Sequence, residues 1–152
     1  VICDEAFLPL VPNGEKQSLI PLTSQYQNLI VIRSLTKIFA LAGLRLGYAI
    51  SSASRIKEWE TVRDPWPMNS LAIAAGEMLM SNRKLSSEWI NKVHRWILKE
   101  GSWLHSKLAS LPEISSHPSS TNYQLIEGQH SLIPLREKLA KNKNLSAVSK
   151  PH

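Results

Sequence analysis

The chain opens on an apolar triplet, Val1-Ile2-Cys3, closed by the carboxylates Asp4 and Glu5, and reads as the tail of a strand whose beginning is absent. Leu29-Ile30-Val31-Ile32 is a continuous apolar run ending at Arg33-Ser34, the pattern of a buried parallel strand. A further strand is predicted over Leu46 to Ile50. Pro9 to Pro21, with three prolines and the turn-forming Pro12-Asn13-Gly14, predicts loop. Leu35 to Arg45 is polar at its start and broken by Gly43.

From Ser52 the period changes to helical. Ser52 or Ser54 caps a helix to about Arg63, which Asp64-Pro65-Trp66-Pro67 stops because neither proline continues a helix. Asn69 caps a second helix through Met80. Trp89, Val93, Trp96, Ile97, Leu104, Leu108 and Leu111 mark a long third helix from a Ser86 or Ser87 cap, with Gly101 its weak point. Aromatics at helical spacing usually pack a core, so Trp89, Trp96 and Trp103 are expected inside. Beyond Pro112, Tyr123 to Ile126 predicts a strand and Leu132 to Leu139 a helix, followed by a polar tail from Asn142 to His152. The layout is α/β: residues 1–98 as part of a larger domain and 99–152 as part of a small α+β domain, the boundary lying inside or just after the long helix, near Leu98 to Leu111. Both units are expected to be incomplete, and the chain to be a fragment.

Composition narrows the function classes. With 43% hydrophobic and 20% charged residues, the 152-residue chain is an ordinary globular one, long enough for a core. No stretch has the length of a membrane span and none resembles a signal peptide, so no membrane partner and a cytoplasmic location are expected. Single Cys3 forms no internal disulfide and is expected to pack as a small buried residue, and the five histidines have no metal-ligand spacing. The net charge of +6 raises nucleic acid, but the charges alternate, as in Lys57-Glu58, Lys99-Glu100 and Arg136-Glu137-Lys138. Without a recognition motif, no nucleic-acid partner is expected.

The candidate chemistry lies at the strand ends. A lysine just past a buried strand projects from the sheet edge where α/β proteins bind ligands, and Lys37 is so placed. In a partly desolvated cleft beside other cations such an amine becomes available to attack a carbonyl. Ser34 offers a hydroxyl and Arg45 a bidentate fork suited to a phosphate monoester. Asp4, at the end of another strand, offers a carboxylate that would keep a facing pyridine nitrogen protonated. Glu5 reads as a charged loop residue. Each has an innocent reading alone, as surface lysine, ion-paired arginine or turn-capping aspartate.

Jointly, Asp4-x-Ala-Phe7, Ser34-x-x-Lys37, Arg45 and Gly47-Tyr48 resemble the signature of the fold-type I, aspartate-aminotransferase-like pyridoxal-phosphate enzymes. The resemblance implies pyridoxal 5'-phosphate as cofactor, held by Lys37 as a Schiff base, with Asp4 on the pyridinium nitrogen and Ser34 and Arg45 on the phosphate. Gly43 and Gly47 would allow the tight backbone around the arginine. Where many members carry a tyrosine that bonds the ring oxygen, this chain has Phe7, which makes no such bond. Two branches resemble it most, histidinol-phosphate aminotransferase and the threonine-phosphate decarboxylase of cobalamin synthesis. The Ser34-Leu-Thr-Lys37 form, Pro65-Trp66-Pro67-Met68-Asn69, Lys99-Glu-Gly101 and Thr121-Asn-Tyr123 lean to the second. The resemblance implies a small phosphorylated amino-acid substrate and a homodimer in the full-length protein. The family's upstream phosphate-binding helix start, ring-stacking aromatic, ring-oxygen asparagine and downstream substrate-carboxylate arginine have no counterpart here, so the chain alone is expected to be inactive.

Overall fold

A computed structural model describes residues 1–141; the expectation for Asn142 to His152 lies outside the described residues. Three strands, β1 (Ile2–Asp4), β2 (Ile30–Ser34) and β3 (Gly47–Ile50), form a sheet in that order. β2 runs parallel to β1, with Asp4 opposite Ile32, and antiparallel to β3, with Ser34 opposite Gly47. Only one face of β2 is covered. Val31 is fully buried and Arg33 nearly so, while Ile32 stays exposed, so β2 alternates although its sequence is continuously apolar. Cys3, on the covered face, is half-buried.

The Pro9 to Pro21 segment is better ordered than a plain loop. Single turns of 3-10 helix at Leu8–Leu10 and Gly14–Gln17 lead into another at Ile20–Ser24, each with backbone i to i−3 bonds of the kind proline-containing turns support. After β2 come a one-turn helix α1 (Leu35–Ile38) and a 3-10 turn at Ala42–Leu44.

The predicted helices are present with shifted ends. α2 (Ala53–Val62) starts after Ser52, and α3 (Ser70–Ser81) is capped by Asn69, whose Oδ1 accepts the Ala72 N–H at 2.8 Å. α4 runs from Arg83 to Ala109, starting earlier than Ser86 suggests. Asn82 provides the cap, accepting from Leu85 N–H at 3.1 Å, while Ser86 Oγ donates back to Leu79 O at 2.6 Å and ties α4 to α3. Gly101 lies within α4 without breaking it. A two-stranded antiparallel sheet pairs β4 (Ile114–Ser116), which the sequence reading missed, with β5 (Ile126–Gly128), and α5 (Ile133–Lys141) follows. β5 starts later than predicted because the stretch before it is held irregular: Gln124 Nε2 donates to His117 O and to Ser116 Oγ.

Leu10, Ile38 and Ile97 form one core cluster, joined by Phe7, Phe39, Ile90 and Val93. Leu35, Leu46 and Ala72 form another. The tryptophan expectation needs correction: Trp89, Trp96 and Trp103 are 40%, 56% and 58% exposed. Ile90, Val93 and Ile97 turn the helix toward that core, and Ile97 is the one buried residue of α4, because only one narrow side of the helix meets the rest of the chain. Among the described residues no helix is long and apolar enough to cross a membrane.

Candidate active site

Parallel pairing brings the carboxyl ends of β1 and β2 to one edge, and antiparallel pairing starts β3 at that same edge. Asp4, Ser34, the Lys37 turn and Arg45 therefore converge there, although they span 42 positions of chain. Strand alternation puts Asp4 and Ser34 on the same, open face, while their neighbours Glu5 and Arg33 point into the covered one.

On the open face, Asp4 is exposed and accepts the Ala6 N–H through Oδ1 at 2.9 Å. Ser34 Oγ accepts the Thr36 N–H at 3.3 Å and shares a 2.7 Å bond with Thr36 Oγ1, so the first turn of α1 fixes this hydroxyl. Lys37 is exposed rather than partly desolvated as expected, with its Nζ 5.1 Å from the Phe7 ring centroid. Arg45 is exposed and left-handed, at φ 53°. The tight backbone here does not come from glycine, contrary to expectation: the positive-φ residues are Ala40 and Arg45, not Gly43 or Gly47. Gly47 serves a different end, since a Cβ there would sit 3.0 Å from Arg33 O across the ladder.

The donor set fits pyridoxal phosphate. Among the described residues, Lys37, Arg45 and Asp4 form no ion pair with one another or with other side chains. An uncommitted amine, guanidinium and carboxylate with a fixed hydroxyl on one edge match a group bearing an aldehyde, a phosphate and a basic ring nitrogen. A non-glycine residue held at positive φ stores strain that clusters at ligand-binding positions, and here that residue is the proposed phosphate arginine.

The structure adds residues to which the sequence reading assigned no role. Tyr123 meets Phe7 edge-on, centroids 5.4 Å apart, and links the second sheet's approach to the lysine. A groove of about 300 Å³ beside Lys37 is bordered by Trp89, Lys92, Trp96 and Asn122, and Trp89 Nε1 donates to Ile38 O at 2.7 Å. Thr121-Asn-Tyr123 was a visible motif, but nothing in sequence spacing brings it to Phe7.

Glu5 and Arg33 are the larger omission. Glu5, expected as a loop charge, is only 5% exposed, and Arg33 only 3%. Arg33 donates from Nε to Glu5 Oε2 at 2.9 Å and grips Glu15 bidentately at 2.7 and 2.9 Å. The Arg33 hydrogen bond holds the Glu15 carboxyl below its ordinary range, and the same bond raises the guanidinium further. Burial pushes the Tyr48 phenol, opposite Arg33, upward.

Residues 1–149 match the aminotransferase class I and II family. The threonine-phosphate decarboxylase of Salmonella typhimurium is 32% identical over 91% of this chain and 37% of its own length. The histidinol-phosphate aminotransferase of Thermoanaerobacter pseudethanolicus is 32% identical over 84% of this chain and 34% of its own. The chain thus spans under two fifths of the curated relatives it matches. The solved histidinol-phosphate aminotransferase of Sinorhizobium meliloti, in complex with pyridoxal-5'-phosphate, superposes with a TM-score of 0.79 at 19% identity over 95% of this chain and 38% of that one. Its fold is the fold-type I arrangement expected from the motifs, of which this chain is a mixed α/β part, and its relatives are pyridoxal-phosphate enzymes. The chain belongs to the aminotransferase class I and II family.

Proposed function

We propose that this chain carries the cofactor-holding part of a decarboxylase converting L-threonine O-3-phosphate to (R)-1-amino-2-propanol O-2-phosphate in cobalamin synthesis. The observation that carries the cofactor reading is the convergence of uncommitted Lys37, Asp4 and Arg45 with Ser34 on one sheet edge. Phe7 and the Ser34-Leu-Thr-Lys37 form, with 32% identity to a threonine-phosphate decarboxylase, support decarboxylation. Transamination is the second reading, favoured by equal identity to a histidinol-phosphate aminotransferase.

When bound, pyridoxal phosphate supplies a ring that accepts the electron pair of a bond broken at the substrate's α-carbon. Lys37 Nζ would hold that group covalently and, as a free amine, would supply a proton to the substrate's α-carbon. Asp4 accepts the N–H of the ring nitrogen and keeps the proton there. Ser34 and Arg45 bind the cofactor phosphate, the arginine through its planar fork. Phe7 gives Lys37 an apolar neighbour and offers no hydrogen bond to the ring oxygen. Residues 1–98 belong to the cofactor-binding domain and 99–152 to the smaller one, with α4 continuous across the boundary. The full-length protein works as a homodimer, and this chain alone is inactive.

Two measurements on the full-length protein test the reading. Borohydride reduction and peptide mapping should place a pyridoxyl label on Lys37, and a label on another lysine defeats the assignment. Threonine phosphate should release carbon dioxide. Glutamate formed from 2-oxoglutarate and histidinol phosphate, without carbon dioxide from threonine phosphate, replaces the decarboxylase with the aminotransferase.

A further inference from the structure

Arg33 and Glu5 take no part in the chemistry proposed above, yet each is the chain neighbour of a residue that does. Arg33 precedes Ser34 at the end of β2, and Glu5 follows Asp4 at the end of β1. Their side chains meet on the covered face, with Arg33 Nη2 2.8 Å from Glu5 Oε2. The same guanidinium bonds Glu15 through both oxygens and Ser18 Oγ at 2.9 Å. Glu5 is saturated in turn: Ser18 Oγ donates to Oε2 at 2.8 Å and Leu19 N–H donates to Oε1 at 2.7 Å. No buried side-chain nitrogen or oxygen among the described residues lacks a partner.

The network joins three pieces of chain: the end of β1, the end of β2 and the 14–19 segment. A planar fork with five donors fixes direction as well as distance, which a lysine at the same place does not do. β1 contributes only three residues to its ladder, so its backbone bonds alone hold its end weakly. The position of Asp4 relative to Ser34 then depends on the clamp beneath them.

We propose that Arg33, with Glu5 and Glu15, is a positioning unit that holds Asp4 and Ser34 in the relative placement needed to bind the ring nitrogen and phosphate of pyridoxal phosphate. This rests on the cofactor roles given above for Asp4 and Ser34. Two backbone amides report on it without cofactor. Ala6 N–H donates to Asp4 Oδ1 and Thr36 N–H donates to Ser34 Oγ, so the exchange rate of each follows the orientation of one cofactor-facing side chain.

The test uses Glu15→Gln, whose side chain is mostly exposed and whose loss leaves the buried Arg33–Glu5 pair intact, together with Arg33→Lys. Hydrogen exchange on the cofactor-free chain should show Ala6 and Thr36 accelerated several-fold in Glu15→Gln and roughly tenfold or more in Arg33→Lys, with α4 amides unchanged. Unchanged rates at Ala6 and Thr36 in Glu15→Gln overturn the proposal, as does equal acceleration throughout the chain. If Arg33→Lys unfolds, Glu15→Gln decides alone. In the full-length protein, cofactor titration followed by visible absorbance should show a Kd raised by about threefold or more in Glu15→Gln. An unchanged Kd with accelerated amides makes the unit a structural clamp only and overturns its link to the cofactor. A wild-type protein that takes up no cofactor defeats the proposed function instead, and leaves the exchange result to decide whether the clamp orients Asp4 and Ser34.

Discussion

Leu10→Ala tests whether the small core cluster under the Lys37 turn holds that turn to α4. Leu10 is 1% exposed and packs with Ile38, the residue after Lys37, and with Ile97 of α4. Alanine removes three buried carbons, about 2.4 kcal/mol at about 0.8 kcal/mol each. A rigid site would add a cavity penalty, carrying Leu→Ala changes as far as about 5 kcal/mol. Here Leu10 also borders the open groove beside Trp89 and Trp96, so water or a shifted side chain relieves part of that penalty. The expected loss is therefore about 2.5 to 3 kcal/mol. Urea unfolding followed by tryptophan fluorescence reads it, because Trp89 and Trp96 line the affected groove. With an m-value of about 2 kcal/mol/M, the midpoint should fall by about 1.3 M with m unchanged. Leu10→Met conserves volume and should lose under about 1.5 kcal/mol. A Leu10→Ala shift below about 0.4 M would refute the reasoning, since it would mean that this cluster does not couple the turn to the helix.

Three further outcomes follow from single contacts. Arg33 holds the Glu15 carboxyl below its ordinary value of 4.5, so its stabilising contribution is complete above that pH and is lost as pH falls through the lower folded value. Acid titration of wild type against Glu15→Gln should show the stability difference shrinking as pH falls below 4.5, small in size because Glu15 is mostly exposed. Asn69→Ala removes the α3 cap on Ala72 N–H and should destabilise by about 1 kcal/mol in the same urea assay, whereas Asn69→Asp should nearly retain stability. Gly47→Ala places a Cβ 3.0 Å from Arg33 O, and the forced separation of β2 and β3 should lose about 1 to 3 kcal/mol; a neutral result would mean the ladder yields freely there.

Local pattern was enough wherever a signal acts on its own neighbours. Asn69 before Ala72, the prolines at 65 and 67 and the apolar run at 29–32 each act within a few residues, so α3, the end of α2 and β2 were readable from sequence. The family was readable too from the ordered set Asp4, Phe7, Ser34, Lys37 and Arg45, because that spacing is a property of the chain alone. What only the tertiary structure decided depends on partners far along the chain. Whether Glu5 is a loop charge or a buried ion depends on Arg33, 28 residues away, reaching it across the sheet. The exposure of Trp96 and Trp103 depends on how little of the chain packs against α4, which a helical period cannot report, since it shows that a face is apolar but not what covers it. The left-handed Arg45 and Ala40 were invisible for the same reason: side-chain type biases φ only weakly, and here the backbone is bent by the need to pass from α1 into β3 at the edge where Ser34 lies opposite Gly47.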